Sequence, residues 1–475
     1  MTNAPMKAVR RSSNSPRTDN VRQLKLKPLP LTELGLAERL LRDHARDLRY
    51  CEGTDSWMCW DGKMWVQDTR VKLERIACQV IRGLGAEASA ADHEQRREIL
   101  KFAVSAERAK TVKATVALCR AANPSSITTL SQDELDPDPF LLNVKNGTLC
   151  LRTGKLGNFD RSHHITKMAP VEYSDTAECP QWLAFLDRVF QGDQELIRFV
   201  QKMVGYSLTG STGEQVFFIL HGKGANGKST FLNVIQFVLG EYAATVSADL
   251  VLAGRTNKDA ERATPAKARI QGRRLLVATE SEPNRKLAED VVKQVTGGDK
   301  ITARLPYAKS EIQFTPVGKL LLATNHQPEL ASVDHGTKRR VKLVPFAVQI
   351  PPAEQDKQLE QKLRGEQSGI LRWAVEGCLA WLAEGLGEPP AVREATALYL
   401  DDQDALAPFI ETCCELDSTA TVTHKELKAA YTRFCETEQI EAKSDKAFAT
   451  LLKQRDGVKA WRTKAARGYQ GLRLK

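Results

Sequence analysis

No run of apolar residues in this 475-residue chain approaches the roughly 18–20 that span a bilayer. The first residues also lack the short apolar core of a secretory signal. Both absences point to a chain of the cytoplasm. There is no C-x-x-C pair either. The ten cysteines lie scattered, which excludes zinc-ribbon and disulfide-framework classes and leaves buried thiols as the expectation. No repeat is visible at a period of roughly 20–50 residues, so a solenoid is excluded. With 42% hydrophobic and 27% charged residues the composition is that of a globular protein, so wholesale disorder is excluded too. At roughly 100–200 residues per domain, the length accommodates two to four domains.

What the body of the chain also lacks is net positive charge, although the whole carries +10. Residues 1–27 hold seven cations (Lys7, Arg10, Arg11, Arg17, Arg22, Lys25 and Lys27) against one acid, Asp19. Residues 459–475 hold six cations (Lys459, Arg462, Lys464, Arg467, Arg473 and Lys475) and no acid. Each end therefore carries +6, and residues 28–458 carry −2. A polyanion partner is implied, and the charge that would recruit it sits at the two ends.

Residues 1–28 have no apolar periodicity and read as a disordered basic arm. A mixed domain follows over 29–185. In it WDGKMW and LLNVKNGTLCLRTGKL predict hairpins around Asp61-Gly62 and Asn146-Gly147. Segments 71–83, 94–120 and 179–208 have helical spacing. Over 186–350 the pattern becomes an α/β alternation. Buried strands are expected at 216–220, 274–279, 319–325 and 340–346, with a helix over 230–240 closed by Gly240. A helical segment and linker (351–395) leads to a last module, 396–475. It has helices at 425–437 and 445–455 and a basic, strand-like end.

One motif carries chemistry at every fixed position. Gly222-Lys223-Gly224-Ala225-Asn226-Gly227-Lys228-Ser229, followed by Thr230, fits G-x-x-x-x-G-K-[ST], which a chain this long shows by chance on the order of once in fifty. A buried strand precedes it and a helix follows, as phosphate binding requires. The glycines let backbone N–H groups curl around a phosphate, and the helix N-terminus adds partial positive charge. Lys228 is expected at the β- and γ-phosphates of ATP and the Ser229 hydroxyl on Mg²⁺. The strand at 274–279 ends in Glu280-Ser281-Glu282. These acids are expected to orient the Mg²⁺ shell (Glu280) and activate water (Glu282), with the roles exchangeable. Asn325, closing the third strand, would position that water. Arg339 and Arg340 lie where a cation could reach a neighbouring subunit's nucleotide.

Taken in order, GYSLTG, FFILHGKGANGKST, RLLVATESE, KQVTGGDKITAR, LLLATNHQP and KRRVKLVPF resemble the helicase part of phage and plasmid primase–helicases. These are superfamily 3 helicases, similar also to the poxvirus-type proteins, and the resemblance covers roughly 50–475. It implies a P-loop, AAA+-like core behind an N-terminal accessory or oligomerisation domain, with a C-terminal winged-helix module. It further implies a hexameric ring that hydrolyses ATP between subunits and moves 3′→5′ on single-stranded or forked DNA in a bacterial host cell. By resemblance Arg340 matches the trans-acting arginine slightly better than Arg339, and 296–310 matches a hairpin that projects into the ring's pore. Lys300, Arg304, Tyr307 and Lys309 on that hairpin supply cations and one stacking ring for DNA. Arg462, Lys464 and Arg467 would serve the winged helix.

Two departures from the family pattern bear on function. Relatives commonly carry a primase domain ahead of the helicase, whereas this chain begins almost at the accessory domain; a separately encoded primase or other replication protein is one partner this leaves open. Cys150 stands where relatives commonly place an acid. Asp136-Pro-Asp138 superficially offers the paired acids of a polymerising site, without a companion His or third acid. The alternatives to a helicase are an ATP-dependent origin-binding scaffold that does not unwind, and a primase–helicase.

Overall fold

The computed structural model describes residues 29–475 except 70, 122–128, 254–266, 281, 284, 304–310, 331–334, 404–405, 441, 454, 456 and 464–465. The basic arm 1–28 lies outside the described residues. By their contacts the described residues form two compact units, 29–46 with 69–121, and 47–68 with 129–475.

The smaller unit is helical: α1 (Glu33–His44), α2 (Lys72–Ala90), α3 (His93–Ala106) and α4 (Ala109–Leu118). The expected helix over 94–120 is two helices, broken at Glu107–Arg108. Thr32 and Asp92 cap α1 and α3 by accepting the Gly35 and Gln95 amide protons. Buried Arg39 ties α1 to α2 through Glu87, at 3.0 Å, and satisfies the Leu29 and Pro30 carbonyls.

The larger unit starts with a sheet of β1 (Leu48–Cys51), β2 (Ser56–Trp60), β3 (Trp65–Gln67) and β4 (Thr129–Leu130). The Asp61-Gly62 hairpin forms, its loop closed by Asp61 accepting the Lys63 and Met64 amides. The second hairpin joins β5 (Leu141–Val144) to β6 (Gly147–Cys150), and β7 (Lys155–Gly157) adds a third strand. Its loop falls one residue earlier than expected, at Lys145-Asn146, because Gly147 is paired with Val144. Asn146 is instead spent on Tyr173, bonding both its N–H and its C=O.

After α5 (Pro180–Val189) and α6 (Gln194–Leu208) come β8 (Phe217–His221), α7 (Lys228–Leu239), β9 (Ala243–Thr245) and β10 (Leu275–Glu280). Then follow α8 (Glu289–Gly297), β11 (Ile301–Ala303), β12 (Ile312–Phe314), β13 (Lys319–Thr324), α9 (His335–Arg340) and β14 (Val341–Pro345). Strands β14-β8-β13-β10-β9, in that order, make a five-stranded sheet in which every pairing is parallel. The continuous apolar runs have the physical reason anticipated for them, burial on both faces. Phe218, Leu220, Val277 and Leu321 enter one core, while Phe217, Ile219, Leu276 and Leu322 enter the other. The structure is thus mixed α/β with a parallel sheet at its centre. Among the described residues no helix is long and apolar enough to cross a membrane.

One face of the sheet is covered by α6 and by α11 (Gln367–Glu384), which follows α10 (Leu359–Gly365). The helices cross at glycines: a Cβ on Gly205 would collide with the backbone of Gly377 and Cys378, and one on Gly377 with the Gln201 carbonyl. At the C-terminus of α6 two wholly buried cations take the end carbonyls. Arg274 bonds Leu208 O and Leu141 O at 2.7 Å each, and Lys319 bonds Thr209 O and Ser211 O. Burial holds the pKa of both below the ordinary value.

The chain ends with α12 (Pro390–Gln403), α13 (Ala407–Cys413), β15 (Cys414–Thr423), α14 (His424–Thr437), α15 (Asp445–Lys453), β16 (Lys459–Arg462) and β17 (Arg467–Leu474). Strands β15-β17-β16 form an antiparallel sheet over a separate core of Phe409, Leu427, Tyr431, Phe448 and Leu472. The basic end is thus folded strand, with Tyr469 and Leu472 buried.

The helix crossing makes a direct prediction. Gly205→Ala should cost about 1–3 kcal/mol through overpacking, read as a lower urea midpoint. Gly213→Ala, whose Cβ would meet only Ser211 Oγ at 3.4 Å, should leave the midpoint in place.

Candidate nucleotide and DNA sites

A parallel sheet presents its C-terminal edge as a crevice where ligands gather. Here the edge is a register row: Glu280 pairs with Thr324, Thr324 with His221, and His221 with Pro345. The next residues along three of these strands are Asn325, Gly222 and Phe346. Because β13 separates β8 from β10, Asn325 stands between the glycine loop and the acid-bearing strand.

The loop Gly222–Gly227 leaves β8 and enters α7 with Gly224, Ala225 and Gly227 all at positive φ (+97°, +49° and +84°). Gly227 is required twice over, by its φ and by Val189 and Phe185, whose side chains would meet its Cβ at 2.7 and 3.0 Å. The loop is braced from behind by the chain after β14. Asn226 Nδ2 donates to Phe346 O at 3.2 Å, and the Ile350 amide donates to Ala225 O at 2.7 Å.

Lys228, the first residue of α7, is buried with its ammonium turned back into the loop. It donates to Gly222 O at 2.5 Å and to the side-chain oxygens of Asn226 and Asn325 at 3.2 Å each. These three acceptors are all neutral, and burial lowers its pKa to about 8. Ser229 is exposed and Thr230 half-buried on the first turn. The structure therefore brings Gly222, Asn226, Lys228 and Asn325 together. His221, next to them, is held below its ordinary pKa by burial and then by Lys228.

The two acids differ in setting. Glu280, 10% exposed, is the last residue of β10. One carboxylate oxygen accepts the Glu282 amide at 2.7 Å and the other meets Arg285 at 3.1 Å. Glu282 is 54% exposed. Arg285, at the centre of this group, also holds Asp249 at 2.8 Å. It is a residue that periodicity and motif do not reveal, since nothing in ESEPNR marks its arginine. Arg339 and Arg340 end α9. Arg339 is exposed, whereas the Arg340 guanidinium donates to Thr296 Oγ1 at 3.2 Å and Gly336 O at 2.8 Å in its own chain.

Of the expected hairpin, the stem is a two-stranded antiparallel ribbon, Ile301–Ala303 against Ile312–Phe314, with Lys300 exposed at its base. Arg304, Tyr307 and Lys309 lie outside the described residues. In the C-terminal sheet Arg462 and Arg467 are exposed and cross-strand partners, while Lys464 lies outside the described residues. The Asp136/Asp138 pair is spent on structure. Asp136 meets Lys167 at 2.8 Å, and Asp138 meets Arg152 at 3.1 Å. Burial pushes the Asp136 carboxyl up, but Lys167 and Thr166 outweigh it and hold the group below its ordinary value.

The chain is similar to known proteins. A family model described as D5 N terminal like matches residues 37–191, and one described as a family of unknown function (DUF5906) matches 220–340. A protein of Acanthamoeba polyphaga mimivirus, provisionally named helicase L207/L206, is 26% identical over 297 residues, which is 58% of this chain and 30% of that protein. Frog virus 3 has one provisionally named helicase 022R, 29% identical over 53% of this chain and 27% of its own length. African swine fever virus has one provisionally named primase C962R, 26% identical over 44% of this chain and 22% of its own length. The chain therefore spans less than a third of these curated relatives. Among solved structures, the apo C-terminal region of NrS-1 aligns over 93% of this chain and 99% of that one, with a TM-score of 0.46 and 8% identity. The D5-type match over residues 37–191 and the relatives named as viral helicases and primases together support a phage and viral primase–helicase-like family for this chain.

Proposed function

We propose that this chain is the motor of an ATP-dependent DNA helicase of the superfamily 3 kind, with a P-loop, AAA+-like core and a C-terminal winged helix. In this reading it works as a hexameric ring moving 3′→5′ on single-stranded DNA at forks. It serves a phage or other mobile element in the host cytoplasm.

The observation that carries the proposal is the buried Lys228 ammonium, whose acceptors Gly222 O, Asn226 Oδ1 and Asn325 Oδ1 are all neutral. Such a group is stabilised by an anion, and the loop around it offers backbone N–H donors at a helix N-terminus. The residues fit ATP with Mg²⁺. Gly222, Gly224, Ala225, Asn226, Gly227, Lys228 and Thr230 would hold the phosphates. Ser229 and the shell oriented by Glu280 would hold the ion, which neutralises charge on the leaving phosphates when bound. Glu282, exposed beside Glu280, accepts the proton of the attacking water, and Asn325 positions that water.

The ribbon 301–314 supports a DNA contact beyond the nucleotide edge, with Lys300 at its base and Arg304, Tyr307 and Lys309 supplying the grip. Arg339, free of the intrachain bonds that Arg340 makes, is the better placed arginine to reach a neighbour's nucleotide. Arg340 then anchors α9 to Thr296, the residue that opens the TGGD turn.

Two measurements test this reading. Lys228 must be charged to hold phosphate, and its charge is lost as pH rises through about 8. The Kd for a non-hydrolysable ATP analogue should stay level below about pH 7.5 and rise by up to about tenfold per pH unit above 8. The Lys228→Met variant should lose that slope, and wild-type binding that stays level to about pH 9.5 contradicts the assignment. In the second test, equal amounts of Lys228→Ala and Arg339→Ala subunits are mixed. Each is inactive alone, but roughly a quarter of wild-type ATPase should return if the arginine acts in trans. If only the Arg340→Ala mixture recovers, the roles of the two arginines are reversed.

A further inference from the structure

Apart from the nucleotide edge, the C-terminal module holds a cleft of about 230 Å³ between α15 and the β16–β17 ribbon. Ala449 and Lys453 line its helical wall, and Trp461, Arg462, Arg467 and Gly468 line the opposite one. The small side chain at 449 leaves the slot open. Gly468, the cross-strand partner of Trp461, shapes the other wall: a Cβ there would stand 2.6 and 2.8 Å from the indole Cζ2 and Cε2. The indole is laid against the glycine backbone, half-buried, with its remaining surface on the cleft. Its N–H is turned inward, buried and without an acceptor among the described residues, so what the indole offers the cleft is ring surface. Tyr469, the other aromatic in the basic end, is buried and bonded to His424 at 3.0 Å, so Trp461 alone of the two offers a surface.

The charges around the cleft are sorted as well. Asp445, at the N-terminus of α15, is taken up by His424 at 2.7 Å and by Arg467 at 3.0 Å. His424, then Arg467, hold its carboxyl below the ordinary value. The acid and one cation thus cancel. Lys453 and Arg462 are exposed, and neither pairs with an acid among the described residues. A flat aromatic surface and two exposed cations beside a base-sized slot are the requirements for one nucleotide of a single strand. A duplex does not meet them, because its base faces are covered by the neighbouring pairs.

We propose that this cleft takes a nucleobase of single-stranded DNA, stacked on Trp461, with the flanking phosphates on Lys453 and Arg462. The site rests on the DNA-binding function proposed above and adds a strand contact remote from the motor. It would hold one DNA arm by its bases while the ring advances, where reading a duplex groove with α15 would place Asp445 against phosphate.

The test uses the full-length chain, without nucleotide. Anisotropy is measured with a labelled 20-mer of dT, the same backbone lacking bases, and a 20-base-pair duplex. Wild type should prefer the dT strand to the abasic one. Trp461→Ala should bind dT about tenfold more weakly and lose that preference, with duplex binding unchanged. Trp461→Phe, which keeps a stacking ring, should restore most of the affinity. Equal loss on dT, abasic strand and duplex, or Trp461→Ala affinity for dT within twofold of wild type, overturns the slot. A chain that hydrolyses ATP yet binds none of the three overturns both the slot and the helicase reading. Normal dT binding that is insensitive to Trp461 overturns the slot alone.

Discussion

A buried ammonium with only neutral acceptors is the constraint on which the centre of this molecule depends. Lys228 sits at the first turn of α7, bonded to one loop carbonyl and two asparagine oxygens. Desolvation lowers its pKa, and the site gains most from an arriving anion. Much of the surrounding structure holds that site in shape. The parallel sheet aligns the ends of β8, β13 and β10 in one row. The segment after β14 clasps the loop through Asn226 and Ala225. Glycines at 224 and 227 take backbone conformations that a side chain would strain.

Much of this was legible in the sequence because burial on both faces of a sheet leaves a strong trace. VFFIL, LLVAT and KLLLAT have that trace, and the G-x-x-x-x-G-K-[ST] loop has fixed spacing. The polar pieces were less legible. Strand β15, CELDSTATVT, buries only two of its ten residues and has no apolar alternation to betray it. Arg285 belongs to no pattern, and its importance comes only from the folded position that brings it to Glu280 and Asp249. The Asn146-Gly147 turn slipped by one residue because Asn146 has a better use, bonding the Tyr173 backbone from both ends of its amide. Between Arg339 and Arg340, sequence favoured one arginine by resemblance, and the folded chain occupies that one with Thr296 and Gly336.

The charge distribution takes a more definite form. The body is near neutral, so any DNA contact there must depend on a few placed groups around the 301–314 ribbon. The basic C-terminal end is a folded sheet whose exposed cations surround a tryptophan cleft. In the proposed reading, salt-sensitive attraction and base stacking belong to the same small module. Asp445 sets how many of its cations are available, by removing Arg467 from the total.

The central claim is that nucleotide chemistry at Lys228 drives strand separation. The direct measurement is displacement of a labelled strand from a forked DNA with a 3′ single-stranded arm, at saturating ATP and Mg²⁺. Release should require hydrolysable ATP, fail with a 5′ arm alone, and vanish in Lys228→Ala. ATP hydrolysis and DNA binding without any displacement would contradict the motor and leave an ATP-dependent scaffold in its place.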